Sequence, residues 1–411
     1  MRIAVIGGGA AGMMAAATIN ETTPEAEVFL IEKNPDLGKK VLMSGGGRCN
    51  VTTGIEEIKP VLTKYPRGSK FLTSAMHKFP PAAVVSWFEE HGVPLKCEDD
   101  MRVFPVSDKG SDIVGVFERI YLKHGTKVLK DHAVKEIKRS DNGFVVTFKE
   151  QPPVECDKVI LAVGGQARRQ TGSSGDGYAF AESLGHKITT LAPSLHSFIT
   201  EEKWPRRLSG VSLQSVTISA PDSLKPNSFT GPLLFTHTGI SGPSVFALSS
   251  LVAYQAFSLQ KPLRLEIDLL PNLRVLELEQ TLISAMQSAP RKSLKNTLQQ
   301  FVPLALAEIA CERCEIPSEK KNAEINKTER EKVEQWLKHA PLRAILRGAG
   351  SEFVTAGGVD LSEVDPRTME SKVAPGLYFA GEVLDVDGFT GGFNLQASWA
   401  TGRLAGLSSC K

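Results

Sequence analysis

The sequence predicts an α/β fold: a parallel sheet flanked by helices and interrupted by an inserted lobe of mixed character. Three observations predict it. Residues 2–32 run strand, glycine turn, small-residue helix, strand; residues from about 352 onward return to the same β-plus-glycine style; between them a proline-punctuated extended stretch gives way to a charge-rich helical one. At 411 residues the chain also exceeds what one hydrophobic core usually organises, so more than one lobe is expected.

Composition removes several classes. With 41% hydrophobic and 23% charged residues the chain is ordinary globular material, which excludes a wholly disordered or fibrous protein. The formal charge is +2, and the basic pairs Lys39-Lys40, Arg206-Arg207, Arg291-Lys292 and Lys320-Lys321 lie scattered among acids along the chain. Charge therefore lends nucleic-acid binding no support, and no such partner is expected. Six cysteines (Cys49, Cys97, Cys156, Cys311, Cys314 and Cys410) without paired regular spacing do not resemble a secreted disulfide framework, so a reducing cytoplasm is the expected location. Residues 3–20 are uncharged, yet they hold four glycines and many alanines rather than a leucine-rich core. Gly7 to Gly9 would break a spanning helix, so neither a signal peptide nor a membrane association is expected.

Taken in order, residues 2–6 read as a short buried strand, residues 7–9 as a turn, residues 10–20 as a helix and residues 27–32 (EVFLIE) as the next strand. This is a βαβ unit of the length a right-handed parallel crossover requires. Amphipathic helices follow at residues 69–78, 81–90 and 111–123, then a further parallel strand at 126–129. Between residues 133 and 149, Val134, Ile137, Phe144, Val146 and Phe148 alternate with polar residues around an Asp141-Asn142-Gly143 turn, which predicts a hairpin within a β-meander. Residues 158–163 (KVILAV) read as a central parallel strand running into Gly164-Gly165. Residues 1–189 thus form the first part of the main domain. Residues 190–271, where Pro193, Pro205, Pro221, Pro226, Pro232 and Pro243 punctuate short extended runs, form an inserted β subdomain that is barrel-like. Residues 272–346 form an inserted helical subdomain, and residues 347–411 complete the main domain.

The chemistry begins at Gly7-x-Gly9-x-x-Gly12, directly after the first strand and at the start of the first helix. In that context the pattern is a dinucleotide fingerprint of the Rossmann type. Gly7 permits the tight turn, Gly9 lets the backbone approach a pyrophosphate, and Gly12 lets the helix pack close to the sheet. The helix N-terminus offers unpaired N–H groups to the diphosphate. Glu32 ends the second strand, twenty positions after Gly12, where a carboxylate accepts the ribose hydroxyls and repels a 2'-phosphate. These features do not by themselves separate FAD from NAD.

Three further strings bear on that choice: GKKVLMSGGGRCN (residues 38–50), GGQARRQTGSSGDG (residues 164–177) and PGLYFAGEVLDVDGFTGGFN (residues 375–394). With them nearly the whole chain resembles a bacterial flavoprotein family, the NAD(P)/FAD-dependent or aminoacetone-oxidase-like oxidoreductases, which includes proteins linked to bile-acid dehydroxylation. The family belongs to a wider glutathione-reductase-like group, and the resemblance implies FAD as cofactor. It implies cofactor contacts from Gly7, Gly9, Ala11, Gly12, Glu32 and Lys33, from Val134 at the adenine, and from Ala162, Gly164 and Gly165 over the pyrophosphate. Gly46, Gly47, Arg48, Cys49 and Asn50 would lie along the ribitol and flavin ring, with Gly381 and Glu382 closing on the ribitol and pyrophosphate. Gly392, Phe393, Asn394 and Leu395 would present a helix start to the flavin's N1 and O2 edge, where donors stabilise the charge gained on reduction.

Other residues invite roles that the pattern only partly supports. Arg48 is equally a candidate for a structural ion pair. Cys49 has no partner at the spacing of a redox disulfide, so packing is its expected role. Asp176 is expected to cap a loop. Cys311-x-x-Cys314 lacks a second pair or nearby histidines, so no metal site is expected and a helix surface is its expected place. His237, in FTHTGISGP, is the one candidate acid or base. No second dinucleotide fingerprint follows a strand elsewhere, so NAD(P)H would visit transiently. Two enzyme readings remain: a reductase fed by NAD(P)H, or an amine oxidase or dehydrogenase of the aminoacetone-oxidase type acting on a small molecule. A flavin-dependent tRNA-modifying enzyme and a mainly binding or regulatory role are the readings from other classes.

Overall fold

The computed structural model describes residues 1–223, 227–347 and 352–411, so Pro226 lies outside the described residues. The chain divides into two compact units, Met1–Ser194 with Glu352–Lys411, and Leu195–Ser351.

The first unit is built on a five-stranded, all-parallel sheet in the order Leu377–Phe379, Lys158–Leu161, Arg2–Ile6, Glu27–Ile31, Lys127–Leu129. RIAVI, EVFLI and KVIL are nearly continuous apolar runs because helices cover both faces of such a sheet. The first strand sits at the centre, with Ile3 opposite Val28 on one side and Lys158 on the other. Its crossover helix, Ala10–Thr22, packs against the C-terminal helix, Phe393–Ser409, through small residues. A Cβ on Gly406 would lie 2.7 Å from the Ala15 carbonyl oxygen, so glycine is what permits that approach. On the far side, the buried Trp399 stacks on Phe117 at 5.7 Å and donates its indole N–H to the Val51 carbonyl at 2.9 Å. The β-meander is an antiparallel sheet of Val134–Ser140, Gly143–Phe148 and Val154–Cys156.

The second unit holds a closed antiparallel barrel of six strands, in the order Phe198–Thr200, Gly239–Ser241, Asn227–Phe235, Ser212–Ala220, Leu263–Asp268, Ala340–Arg347. Phe198, Val216, Ile218, Leu233, Phe235, Leu265, Ile267 and Leu342 fill it at alternate positions. The helices Val275–Ser288, Leu294–Leu298, Leu304–Arg313 and Lys327–Lys338 make up its helical part. The fold is therefore α/β with a Rossmann-type domain, an inserted barrel and an inserted helical part.

Three details differ from the sequence reading. Pro243–Leu251, inside a stretch read as extended, is a helix: Pro243 occupies its first turn, where a missing N–H costs nothing. Ala340–Arg347, read as the end of the helical part, is a barrel strand whose Ala340, Leu342 and Ala344 point inward while Pro341 and Arg343 stay exposed. Cys311 and Cys314 are buried in the core of the helical part rather than on a helix surface, and burial pushes both thiols up to about 11. Among the described residues no helix is long and apolar enough to cross a membrane.

Candidate functional site

Several of the glycine-bearing segments meet at the carboxyl ends of the parallel strands, where open α/β sheets bind ligands. Gly7 follows the central strand at φ +106° and donates its N–H to the Ile31 carbonyl at 2.8 Å. A Cβ there would come within 2.5 Å of the Ala162 carbonyl oxygen, and one on Gly12 would collide with the Gly7 carbonyl. Gly9 differs in kind. A Cβ on it would meet nothing within 4 Å, so the helix start, with the first-turn amides that no intrahelical carbonyl satisfies, faces open space. That combination fits a pyrophosphate held by backbone N–H groups. Ala11, in the same turn, is buried, and its Cβ lies 2.8 Å from where a side chain on Gly381 would begin.

Glu32 accepts the Gly8 N–H at 2.7 Å and the backbone and side-chain N–H groups of Asn34 at 2.8 and 2.6 Å. Its carbonyl accepts the His132 N–H at 3.0 Å, which ties the strand that begins at Val134 to the same corner. Lys33 turns away to Ser174 and Asp176, the latter at 2.7 Å. Burial works against ionisation of Asp176, but Lys33 and the Ser174 hydroxyl outweigh it and hold its carboxyl below the usual carboxylate range.

Ala162 continues the Lys158–Leu161 strand, donating to the Ile6 carbonyl at 2.8 Å, and leads to Gly164 at φ +75°. A Cβ on Gly165 would press on Thr355 Oγ1 at 2.6 Å and Glu382 Oε1 at 2.8 Å. Glu382 in turn accepts the Thr355 N–H at 2.9 Å and pairs with Lys40 at 2.8 Å. The fold thus brings Gly7, Gly12 and Ala11 to Ala162 and Gly381, and Gly165 to Glu382. Sequence reasoning missed Lys40 and Thr355, whose only signal is proximity across the fold.

In the SGGGRCN string, Gly46 and Gly47 adopt φ +71° and +93° with open space beyond their Cα atoms. Arg48 lies over the Phe104 ring at 3.8 Å and pairs with Glu98 at 2.7 Å and Asp108 at 3.4 Å, an arrangement that is structural in itself. Cys49 is fully buried and burial pushes its thiol up to about 12, so it carries no thiolate near neutral pH. The Asn50 amide, oriented to satisfy both its atoms, donates to the Thr52 carbonyl at 3.0 Å and accepts the Gly392 N–H at 2.9 Å. This joins the string to the C-terminal helix.

Gly392, at φ +88°, sits so tightly against Thr52 that a Cβ would collide with its carbonyl. The helix opens at Phe393, whose carbonyl accepts the Tyr65 hydroxyl at 2.7 Å. Asn394 clasps Gly388, accepting its N–H and donating to its carbonyl, both at 2.8 Å. The backbone N–H groups of Phe393, Asn394 and Leu395 have no carbonyl ahead of them in the helix and remain available donors to a ring edge. The preceding loop is pinned by Asp387, fully buried, which takes a bidentate pair from Arg67 and the Ser194 hydroxyl at 2.7 Å. Neither Arg67 nor Ser194 carried a sequence signal. His237 belongs to the other unit, exposed in the turn between strands Asn227–Phe235 and Gly239–Ser241.

Comparison with known proteins places this arrangement. The model of the HI0933-like protein Rossmann domain matches residues 1–408. The ribosomal RNA dihydrouridine synthase of Haemophilus influenzae is 34% identical over 413 residues, covering 98% of this chain and 97% of that protein. The 3-dehydro-bile acid delta(4,6)-reductase of Clostridium scindens is 30% identical over 411 residues, covering 100% of this chain and 99% of that protein. Among solved structures, Escherichia coli quinol fumarate reductase aligns over 100% of this chain and 70% of its own, with a TM-score of 0.51 at 16% identity, a likeness of fold. The chain belongs to the HI0933-like family of Rossmann-fold, FAD-dependent oxidoreductases.

Proposed function

We propose that this chain is an NAD(P)H-fed, FAD-dependent reductase that saturates a ring carbon–carbon double bond conjugated with a carbonyl, with the uracil ring of an RNA as its substrate. One observation carries the reading: two relatives that each match nearly the whole chain are named for different substrates but for one chemical act. Dihydrouridine is uridine with its ring double bond, conjugated with a carbonyl, reduced; a bile-acid enone reductase performs the same addition on a steroid ring. The higher identity, 34% against 30%, favours the uracil ring.

In this reading the residues divide the work. Gly7, Gly9, Ala11 and Gly12 hold the pyrophosphate, Glu32 the adenosine ribose, and Val134 the adenine; Ala162, Gly164, Gly165, Gly381 and Glu382 cover the pyrophosphate and ribitol. Gly46, Gly47 and Asn50 line the ring, and the amides of Phe393, Asn394 and Leu395, opened by Gly392, face its N1 and O2 edge. Bound FAD supplies the two-electron carrier. Arg48 and Cys49 support the wall of the site, and Lys33 braces the loop at Asp176. The overall reaction consumes one NAD(P)H and one proton: hydride adds to the ring carbon β to the carbonyl and a proton to the α carbon. His237 is the candidate proton donor.

Anaerobic mixing tests this. NADH or NADPH should bleach the flavin band, and a uridine-containing ribosomal RNA fragment should restore it, with two hydrogens gained by one uridine. Bleaching by aminoacetone but not by NAD(P)H would overturn the reading in favour of an oxidase. Restoration by a bile-acid enone and not by RNA would move the substrate to the steroid class that the Clostridium scindens relative names.

A further inference from the structure

In the inserted unit, two segments far apart in sequence run side by side. Ser293 bridges antiparallel to Lys321; the Asn322 N–H donates to the Lys292 carbonyl at 3.0 Å, the Ala323 N–H to the Pro290 carbonyl at 3.1 Å, and the Leu294 N–H to the Lys320 carbonyl at 2.9 Å. The ribbon is anchored from below. Asn322 is buried and donates to the Ala289 carbonyl at 2.7 Å and the Thr297 hydroxyl at 2.8 Å, while Ser293 and Leu294 are buried beside it. Two basic pairs that look scattered along the chain, Arg291-Lys292 and Lys320-Lys321, are thereby brought onto one rigid surface.

The charges on that surface are unevenly used. Lys320 is engaged by Glu329 at 2.6 Å, and Lys295 by Glu319 at 2.5 Å. Arg291, Lys292 and Lys321 are exposed and take part in no ion pair among the described residues. Residues 289–300 contain no acid at all. Glu319 and Glu329 are committed to Lys295 and Lys320, and the Glu324 carboxylate takes the Lys321 backbone N–H at 3.3 Å, so three cations fixed by a hydrogen-bonded ribbon stand in excess of the acids beside them and match the spacing-tolerant recognition of a phosphate backbone.

We propose that the ribbon carrying Arg291, Lys292 and Lys321 is an RNA-backbone contact surface that holds the phosphates of the substrate strand. It rests on the reading that the substrate is an RNA. Each phosphate neutralised on a single strand contributes about 0.7 to the slope of log affinity against log salt, so three should contribute about 2.

The test uses the full-length flavoprotein and a triple variant, Arg291→Gln, Lys292→Gln and Lys321→Gln, with Lys327→Gln as a surface control. Binding of a uridine-containing ribosomal RNA fragment is followed by fluorescence anisotropy across a salt series. The triple variant should bind about tenfold more weakly, with its salt slope reduced by about 2, while flavin content, thermal midpoint and flavin reduction by NAD(P)H stay at wild-type values. The Lys327→Gln control should match wild type. Unchanged affinity and slope in the triple variant, against clear RNA binding by the wild type, would overturn the surface and leave the RNA reading standing. Absence of RNA binding by the wild type would overturn both. Loss of binding to anionic phospholipid vesicles with RNA binding intact would overturn the RNA assignment of this surface.

Discussion

The carboxylate of Glu32 receives the Gly8 N–H at 2.7 Å, so the end of the second strand is bonded to the glycine turn that follows the first. The same carboxylate, through its other oxygen, holds Asn34. Glu32→Gln keeps the shape but turns an N–H donor toward one of these N–H groups, and it removes the charge that strengthens the other bonds. Hydrogen bonds to charged groups are worth about 1.5–3 kcal/mol, so FAD affinity should fall about ten- to a hundredfold. Titration of apoprotein with FAD, read by quenching of flavin fluorescence, measures it; an unchanged affinity would remove Glu32 from the ribose site.

Gly9 and Gly12 should separate binding from folding. Gly9 has φ −83° and ψ −172°, a conformation any residue adopts, and faces open space, so Gly9→Val should leave apoprotein stability within about 0.5 kcal/mol of wild type. Its side chain would stand where the pyrophosphate is expected, and the protein should purify without flavin. Gly12→Ala sets a methyl against the Gly7 carbonyl and should fail earlier, in thermal unfolding of the apoprotein. Equal flavin content in Gly9→Val and wild type would place the cofactor elsewhere.

The difference between these two glycines was legible in the sequence because a strand, a turn and a helix in immediate succession leave each one a single steric job. Much of the rest was not. Lys40 and Glu382 stand 342 positions apart, and no local pattern predicts that they pair. Arg67 and Asp387 are likewise joined only by tertiary packing. Pro243–Leu251 was obscured by its own first residue, since proline marks a helix start as readily as a turn. The burial of Cys311 and Cys314 did have a signal: with Ala307 and Ala310 they share one face of the helix at spacings of three and four, and all four are buried.

The Arg67 and Asp387 pair should dominate the stability of the loop before the C-terminal helix. Asp387 is fully buried, and the Arg67 side chain that pairs with it is 15% exposed. Removing one partner of such a pair strands the other and typically costs about 3–5 kcal/mol. Arg67→Ala should therefore lower the urea midpoint of the first unit sharply, and bound FAD should recover part of the loss by mass action. A change under about 1 kcal/mol would mean that water reaches the carboxylate.

Thiol labelling should distinguish Cys49 from Cys97. Burial holds Cys49 up at about 12 and shields it completely, whereas Cys97 is exposed. Under native conditions at mild alkaline pH, iodoacetamide should modify Cys97 and leave Cys49 untouched, as peptide mass analysis would show. Cys49→Ala should retain flavin reduction by NAD(P)H. Loss of that reduction with normal flavin content would give the thiol a chemical role that its burial argues against.

His196 sets a pH dependence on the inserted unit. Its ring is buried, Nδ1 lies 2.9 Å from the Ser197 carbonyl, and Nε2 has no hydrogen-bond partner among the described residues. Burial drives it down from 6.5 to about 4; the Ser197 carbonyl resists the fall and the Arg347 cation adds to it. With the folded value below the unfolded one, the unfolded chain takes up the proton first. Stability present above pH 6.5 is therefore lost as pH falls toward about 4, by about 3 kcal/mol when fully expressed. His196→Asn can keep the bond to the Ser197 carbonyl but cannot titrate. Its urea-unfolding free energy should fall less steeply than that of wild type across this interval, and parallel curves for the two proteins would mean that the imidazole protonates as readily folded as unfolded.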